Sequence, residues 1–437
     1  MAGYRSGYTG TGLLGCLCVA IVALLSEAAA QSRPDASLLT FINGIKAVDN
    51  HSHGLPSRKP GAPTPTPADP LGTSPPFFSA RQRETNPEWI EAWRALYGYP
   101  HRDVAPGHVR DVFSAKQRVM QNAGENYPAS VLDRAGIEFV LINAPALGGG
   151  QNGPRFRLVP YGDGFLFPFP TAEFPGNPQP RRVEVGLEKA PPRWTDYLNL
   201  VATRLQQWKT DRAVAVKFTI AYFRPLDFAP VPEAEARSTY EQDLKDGGEK
   251  PRDYRTAEYR ALQNFLFRHV VREAGRIGLP LHIHTGEGGG PVFGVAGSNP
   301  LLLESVLNDF SIPQPPIVLV HGGSPFDRAV TALLQKPNVY ADISGQTFFH
   351  SPLDLSNTLR SWLWAFPEKV LFGTDAMGAG LRGWEEMTWI ATRSGRAALA
   401  LALTGMMASG EITRARAEEI ARMVLRDNAV RLYNLAP

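Results

Sequence analysis

Val48-Asp49-Asn50-His51-Ser52-His53 closes an apolar run at 45–50, and the reading of this stretch decides the fold. Residues two apart on an extended backbone project to the same side, so at the end of a strand the imidazoles of His51 and His53 converge. A lone His-x-His is a common accident. Its weight comes from the rest of the chain, which holds nine histidines, two more of which, His284 and His321, also close apolar runs. Phe372-Gly373-Thr374-Asp375 closes another such run with a carboxylate.

Working outward, short apolar runs alternate with longer amphipathic stretches, as repeated βα units around a parallel sheet require. Strands are expected at 45–50, 137–143, 155–159, 213–218, 279–284, 317–321, 339–343 and 370–374, which makes eight. Helices are expected at 194–209, 257–277, 300–309, 326–334, 355–364 and 415–433. The fold class is therefore α/β, a (β/α)8 TIM barrel occupying 31–437. Two long insertions interrupt it near the catalytic face, at about 55–130 and 145–192. The first opens Pro-rich at 56–76 and turns helical from 86 to 122, and the second is rich in Gly and Pro. Loops after barrel strands build the catalytic face, so both are expected to cover the site. No internal repeat of fixed period is present.

A chain of 437 residues with 43% hydrophobic and 20% charged content has ample material for such a core. Its 45 basic and 42 acidic residues nearly cancel, with no dense Lys/Arg block, which argues against nucleic-acid or membrane-surface partners and for a small-molecule substrate. Self-association is left open. Residues 1–30 read as a signal peptide: Arg5 precedes the apolar run 13–25, and Ala28-Ala29-Ala30 offers a cleavage site before Gln31. The run is shorter than the ~20 residues of a spanning helix, so export to the periplasm or outside the cell is expected, with no membrane contact after cleavage. Cys16 and Cys18 both lie in that segment, so any metal in the mature chain must be held by His and carboxylate. Gly10-Thr11-Gly12-Leu13-Leu14-Gly15 spells a dinucleotide fingerprint with no strand before it, and Asn50-His51-Ser52 spells a glycosylation sequon inside the expected site; neither is read as functional.

Barrel enzymes collect catalytic groups at the C-terminal ends of their strands. Three imidazoles and a carboxylate there suit zinc, or another borderline divalent ion, with one position left for water.

At this point the sequence resembles the amidohydrolase superfamily, in the branch of metal-dependent hydrolases, decarboxylases and uronate-isomerase-like proteins related to the amidohydrolase domain fused to some glutamine synthetases. The likeness is carried by Asp49-Asn50-His51-Ser52-His53, Ala215-Val216-Lys217 with Ala221-Tyr222, and Leu279-Pro280-Leu281-His282-Ile283-His284-Thr285-Gly286. It continues in Val320-His321-Gly322-Gly323-Ser324-Pro325-Phe326, Asn338-Val339-Tyr340-Ala341-Asp342, Leu371-Phe372-Gly373-Thr374-Asp375 and the tail Asp427-Asn428-Ala429-Val430-Arg431-Leu432-Tyr433. The resemblance implies that His51, His53, His284 and Asp375 hold the metal. It implies that His321 binds a second metal or serves as acid/base, and that Asp375 moves protons for a water acidified to a pKa of about 7. In some members a carboxylated lysine at the place of Lys217 bridges two metals; the alternative is a plain lysine paired with an acidic neighbour and a single ion.

Other residues carry weaker signals. Arg155, Tyr222 and Arg224, with Arg157, stand on or after the third and fourth strands and are candidates to clamp an acidic substrate, although arginines at strand edges also pair with surface carboxylates. His282 reads as a partner of ligands or a core histidine, Asp342 as an orienting or structural group, and His101, His108, His269 and His350 as solvated or structural. Gly286-Glu287-Gly288-Gly289-Gly290 departs from the aromatic-Gly-Asp of the resemblance at a substrate wall. The expected activity is metal-dependent hydrolysis of an amide, lactone or ester. Its rivals are a decarboxylase or isomerase on the same site, and an exported binding protein without catalysis.

Overall fold

The computed structural model describes residues 33–55, 79–83, 85–148, 150–172, 182–248, 250–290, 292–378 and 380–435. The expected signal peptide and the whole Pro-rich opening of the first insertion, 56–76, lie outside the described residues, as do 173–181 of the second.

Eight parallel strands form the centre: β1 (Ala47–Ser52), β2 (Ile137–Asn143), β3 (Phe156–Val159), β4 (Val216–Phe218), β5 (Leu281–His284), β6 (Ile317–Val320), β7 (Val339–Asp342) and β8 (Val370–Leu371). They pair in the order β1-β2-β3 and β4-β5-β6-β7-β8. Backbone bonds join the two sheets at both seams. Between β3 and β4, Val214 donates to Leu158 O at 3.1 Å and Lys217 to Pro160 O at 2.8 Å. Between β8 and β1, Asn50 donates to Phe372 O at 2.9 Å and Asp375 to His51 O at 2.7 Å. The ring is the expected (β/α)8 barrel, with irregular pairing where the site is built.

Alternation along each strand separates two cores. Leu281, Ile283, Ile317 and Leu319 pack outward under the helices, while Val48, Leu141, Ala215, Val318, Val320 and Leu371 fill the interior with Ala429 and Tyr433. The closing helix Asn428–Tyr433 thus plugs the barrel from below. His282 and His284 share the inward face of β5, which aims the second at the open end.

The helical stretch expected at 86–122 is two helices, Glu88–Tyr97 and Pro106–Ala123, because Gly98 ends the first in the left-handed conformation and Pro106 starts the second. Their Trp89, Trp93 and Val112 pack with Tyr127, Leu132, Trp384 and Ile390. The described helices therefore form part of the outer wall rather than the expected cover, and Gln82 is the described residue of this insertion that reaches the cavity. The longest helix among the described residues, Trp384–Ala408, was not expected: it is buried on nearly every face, which erases the amphipathic period. No helix among the described residues is long and apolar enough to cross a membrane.

Candidate metal centre and active site

The C-terminal ends of the strands open into a cavity of about 380 Å³, lined by His51, His53, Lys217, His284, His321 and Asp375. All six residues expected to surround the metal are thus brought together. Asp375 Oδ1 stands 3.1 Å from His51 Nε2 and 3.1 Å from His53 Nε2. Ligating atoms of His51, His321 and Asp375 all fall within 4.8 Å of one another. The ring of His284 lies 4.6 Å from that of His321.

The barrel holds these side chains through buried polar partners. Asp49 accepts from Thr374 N at 2.8 Å and from Thr374 Oγ1 at 2.6 Å, which ties the end of β8 to β1. Asp342 accepts from Asn50 Nδ2, His321 N and Ser344 Oγ at 2.7, 2.9 and 2.6 Å, a full set that gives it the structural role. His321 Nδ1 donates to Ser344 O at 3.0 Å, so its Nε2 remains for the cavity. His321 and Asp375 both have positive φ, 67° and 58°, a conformation that costs a side-chain-bearing residue on the order of 1–3 kcal/mol and clusters at functional sites. Gly345 is required opposite them, since a Cβ there would lie 2.8 Å from His321 Nδ1.

The electrostatics are those of a cation site. Burial pushes the His51 and His284 rings well below the ordinary imidazole range, with Lys217 adding to it, and burial also lowers His321. Burial would raise Asp375, but His321, His51 and His53 around it outweigh this and hold it well below the usual carboxylate range. Lys217 is lowered to about 8 by burial, against the pull of Asp375, Asp342 and Asp163. Neutral imidazoles facing an ionised carboxylate are ligands in the protonation states a metal needs. The decisive fit is the set of buried atoms left without a hydrogen-bond partner: His51 Nε2, His284 Nε2 and Lys217 Nζ. Buried polar atoms are nearly always paired, and these lack only a cation or its ligands. Among the described residues no carboxylate forms a hydrogen bond with Lys217 Nζ.

The remaining wall is Tyr161, Asp163, Thr219, Tyr222, Phe223, Glu287, Phe349 and Met377, with Gln82 and the glycines 288–290. Tyr222 packs edge-on against His284 with centroids 4.8 Å apart, and its hydroxyl accepts from Gly289 N at 2.9 Å. Its own proton is thereby left to face a ligand. Tyr161, Asp163 and Thr219 had no motif to betray them; Asp163 accepts from Thr219 N at 2.8 Å and Oγ1 at 2.9 Å, fixing the turn after β4.

Two expected substrate residues are elsewhere. Arg155 sits at the opposite end of the barrel, donating to Asp133 Oδ1 at 2.7 Å, Ile137 O at 2.5 Å and Glu138 O at 3.1 Å. Arg224 is buried behind the wall, bonded to Pro225 O at 3.0 Å and Asp227 O at 3.1 Å. Both side chains are taken up by backbone carbonyls and an aspartate outside the cavity lining, so neither is placed to clamp a substrate. Arg157 stays with Arg155, over the Phe139 ring. His282 Nε2 meets Tyr433 Oη at 2.7 Å inside the barrel and is a core histidine. His101 and His108 stack on each other at 3.6 Å on the outer wall. His269 reaches Leu198 O, and His350 bonds Ser324 Oγ at 2.9 Å beside Glu287.

A sequence model of the amidohydrolase family matches residues 176–435. The chain belongs to the amidohydrolase family. Among solved structures, this amidohydrolase is similar to a protein of Lactobacillus casei named as a metal-dependent hydrolase, at TM-score 0.61 and 17% identity over 91% of this chain and 97% of that one. It is also similar to the uronate isomerase of Thermotoga maritima, at TM-score 0.63 and 15% identity over 91% and 96%. At such identities the likeness is one of fold. In sequence, it matches Protein fluG of Emericella nidulans at 27% identity over 230 residues, which is 51% of this chain and 26% of that protein. The matched segment thus spans about a quarter of that relative. The amidohydrolase family is metal-dependent, and the lone-pair cluster of His51, His53, His284, His321 and Asp375 is where this member would hold its ion.

Proposed function

We propose that this amidohydrolase is a metal-dependent hydrolase that cleaves a C–N or C–O bond, in an amide, lactone or ester, of a small molecule. The observation that carries this reading is the cavity wall. Carboxylate substrates such as uronates or hydroxybenzoates call for a cationic clamp, yet the described lining contains no arginine, its Lys217 is buried beside Asp375, Asp342 and Asp163, and the wall presents the carboxylates of Asp163 and Glu287. Tyr161, Tyr222, Phe223, Phe349 and Met377 supply an apolar surface suited to a neutral carbonyl compound.

A divalent ion, with zinc the best match to an all-His/Asp donor set, supplies Lewis acidity toward a carbonyl and acidifies water. The residues do the rest. Asp375, kept ionised by the surrounding imidazoles, accepts the proton of the attacking water at a carboxylate oxygen and returns it to the leaving nitrogen or oxygen. His321, anchored through Nδ1, presents Nε2 as a second acid/base or ligand. Tyr222 donates its free proton to the substrate, and the aromatic wall excludes bulk water. The buried Lys217, unpaired and lowered to about 8, is suited to carboxylation, which would bridge a second ion. Residues 1–30 support export of the chain to the periplasm or beyond.

The test is an activity screen of zinc-loaded protein over lactones, amides and esters beside hydroxybenzoates and uronates. Hydrolysis without CO₂ release is expected. CO₂ from hydroxybenzoates, or aldose–ketose exchange on uronates, with no hydrolysis, would replace this reading by the lyase or isomerase. Ligand binding with no turnover that depends on His51 and Asp375 would make it a binding protein.

A further inference from the structure

Asn143 ends β2 with its side chain buried, and its amide meets His51 on the side of the ring away from the cavity. Its Nδ2 faces His51 Nδ1, while its Oδ1 is buried with no partner. A neutral imidazole carries one proton, and the partner of one nitrogen decides which. With Nδ2 donating, Nδ1 must carry the lone pair, and the proton sits on Nε2, which faces Asp375 Oδ1 at 3.1 Å without forming a hydrogen bond. That is the right arrangement for the ion-free chain and the wrong one for a ligand, since a cation needs the lone pair on Nε2.

The neighbouring ligand is set differently. Tyr161 Oη donates to the backbone carbonyl of Asn143 at 3.3 Å, and the same oxygen lies 3.2 Å from His53 Nδ1. With its proton committed, the phenol can only accept, so His53 Nδ1 bears the hydrogen and Nε2 points its lone pair at Asp375 Oδ1, 3.1 Å away.

We propose that Asn143 is the positioning residue that sets the tautomer of His51, turning its amide by half a rotation when the ion binds. The turn exchanges two atoms of nearly equal size, so Oδ1 then accepts from His51 Nδ1–H without repacking. The number of unpaired amide atoms stays the same. One residue thereby serves both histidines of β1: its carbonyl presets His53 through Tyr161, and its side chain lets His51 follow the ion.

The experiment compares zinc affinity, by competition with a chelator, in the wild type, Asn143→Asp and Asn143→Leu, alongside ¹⁵N chemical shifts of the His51 ring. Asp accepts only, so it should keep zinc affinity at or above wild type and hold the proton on Nδ1 even without zinc. Leu cannot bond the ring and should lower the affinity about 10–100-fold. The ion-free wild type should show the proton on Nε2 and the zinc form on Nδ1. Zinc affinity of the Leu variant within twofold of wild type would overturn the proposal. So would an Nε2 proton in ion-free Asn143→Asp, a readout that holds even if the Leu variant does not fold. Neither readout depends on which reaction the protein catalyses.

Discussion

His53 Nε2 and Asp375 Oδ1 stand 3.1 Å apart across the seam where the first and last strands of the barrel meet. The contact joins residues 322 positions apart, and it exists because both strand ends break regular pairing there. Asp375→Asn keeps the shape and removes the charge that the imidazoles stabilise. It is expected to lower zinc affinity about 100-fold or more and kcat by about 10²–10⁴, measured by chelator competition and by initial rates at saturating zinc. Unchanged affinity would remove Asp375 from the ligand set.

Metal binding should resist acid. An ordinary imidazole of pKa 6.5 loses about tenfold in affinity to proton competition by about pH 5.5. His51, His284 and His321 are lowered in the fold, first by burial, so protons compete for them at lower pH than for an ordinary imidazole. Zinc affinity measured at about pH 7.5 and about pH 5.5 should therefore differ by much less than the roughly thousandfold of three ordinary imidazoles.

Stability of the outer wall rests on Lys116, whose Nζ lies 2.9 Å from Glu386 Oε1 and 3.1 Å from Glu385 Oε2. Lys116→Met strands two buried carboxylates and should destabilise by about 3–5 kcal/mol near neutral pH, read by denaturant titration. Glu386 is raised by burial, with Lys116 opposing, so the variant raises it further. Its unfavourable charge develops as pH rises through that folded value and vanishes on protonation below it. The loss should shrink toward pH 5.

Arg155→Ala should leave KM within about twofold, because the side chain serves carbonyls at the far end of the barrel. Tyr222→Phe should lower kcat/KM by about tenfold, the worth of one hydrogen bond to substrate. Reversal of these two effects would restore the arginine as the substrate group.

The sequence made the cavity residues legible because strand ends are a positional code: an apolar run followed by His or Asp names the face it will occupy. His51, His53, Lys217, His284, His321 and Asp375 all follow it. Asn143 obeys the same code, closing β2, but an amide lacks the chemical signature that draws attention to a histidine. Tyr161, Asp163, Phe349 and Met377 come from the connections after β3, β7 and β8, Asp163 and Phe349 on single short helical turns, whose path no period predicts. Arg155 and Arg224 misled because charge in sequence carries no direction, and backbone carbonyls claimed both. The helix Trp384–Ala408 escaped notice since burial on both faces leaves it looking like a bland apolar run.

The most direct test of the metal centre is the metal-to-protein ratio of the protein as isolated, beside that of the double variant His53→Ala, Asp375→Asn. The account predicts between one and two equivalents of a divalent ion in the wild type, the higher value with a carbamate on Lys217, and less than about one tenth of an equivalent in the variant. A wild type without stoichiometric metal, or a variant that keeps it, would contradict the account.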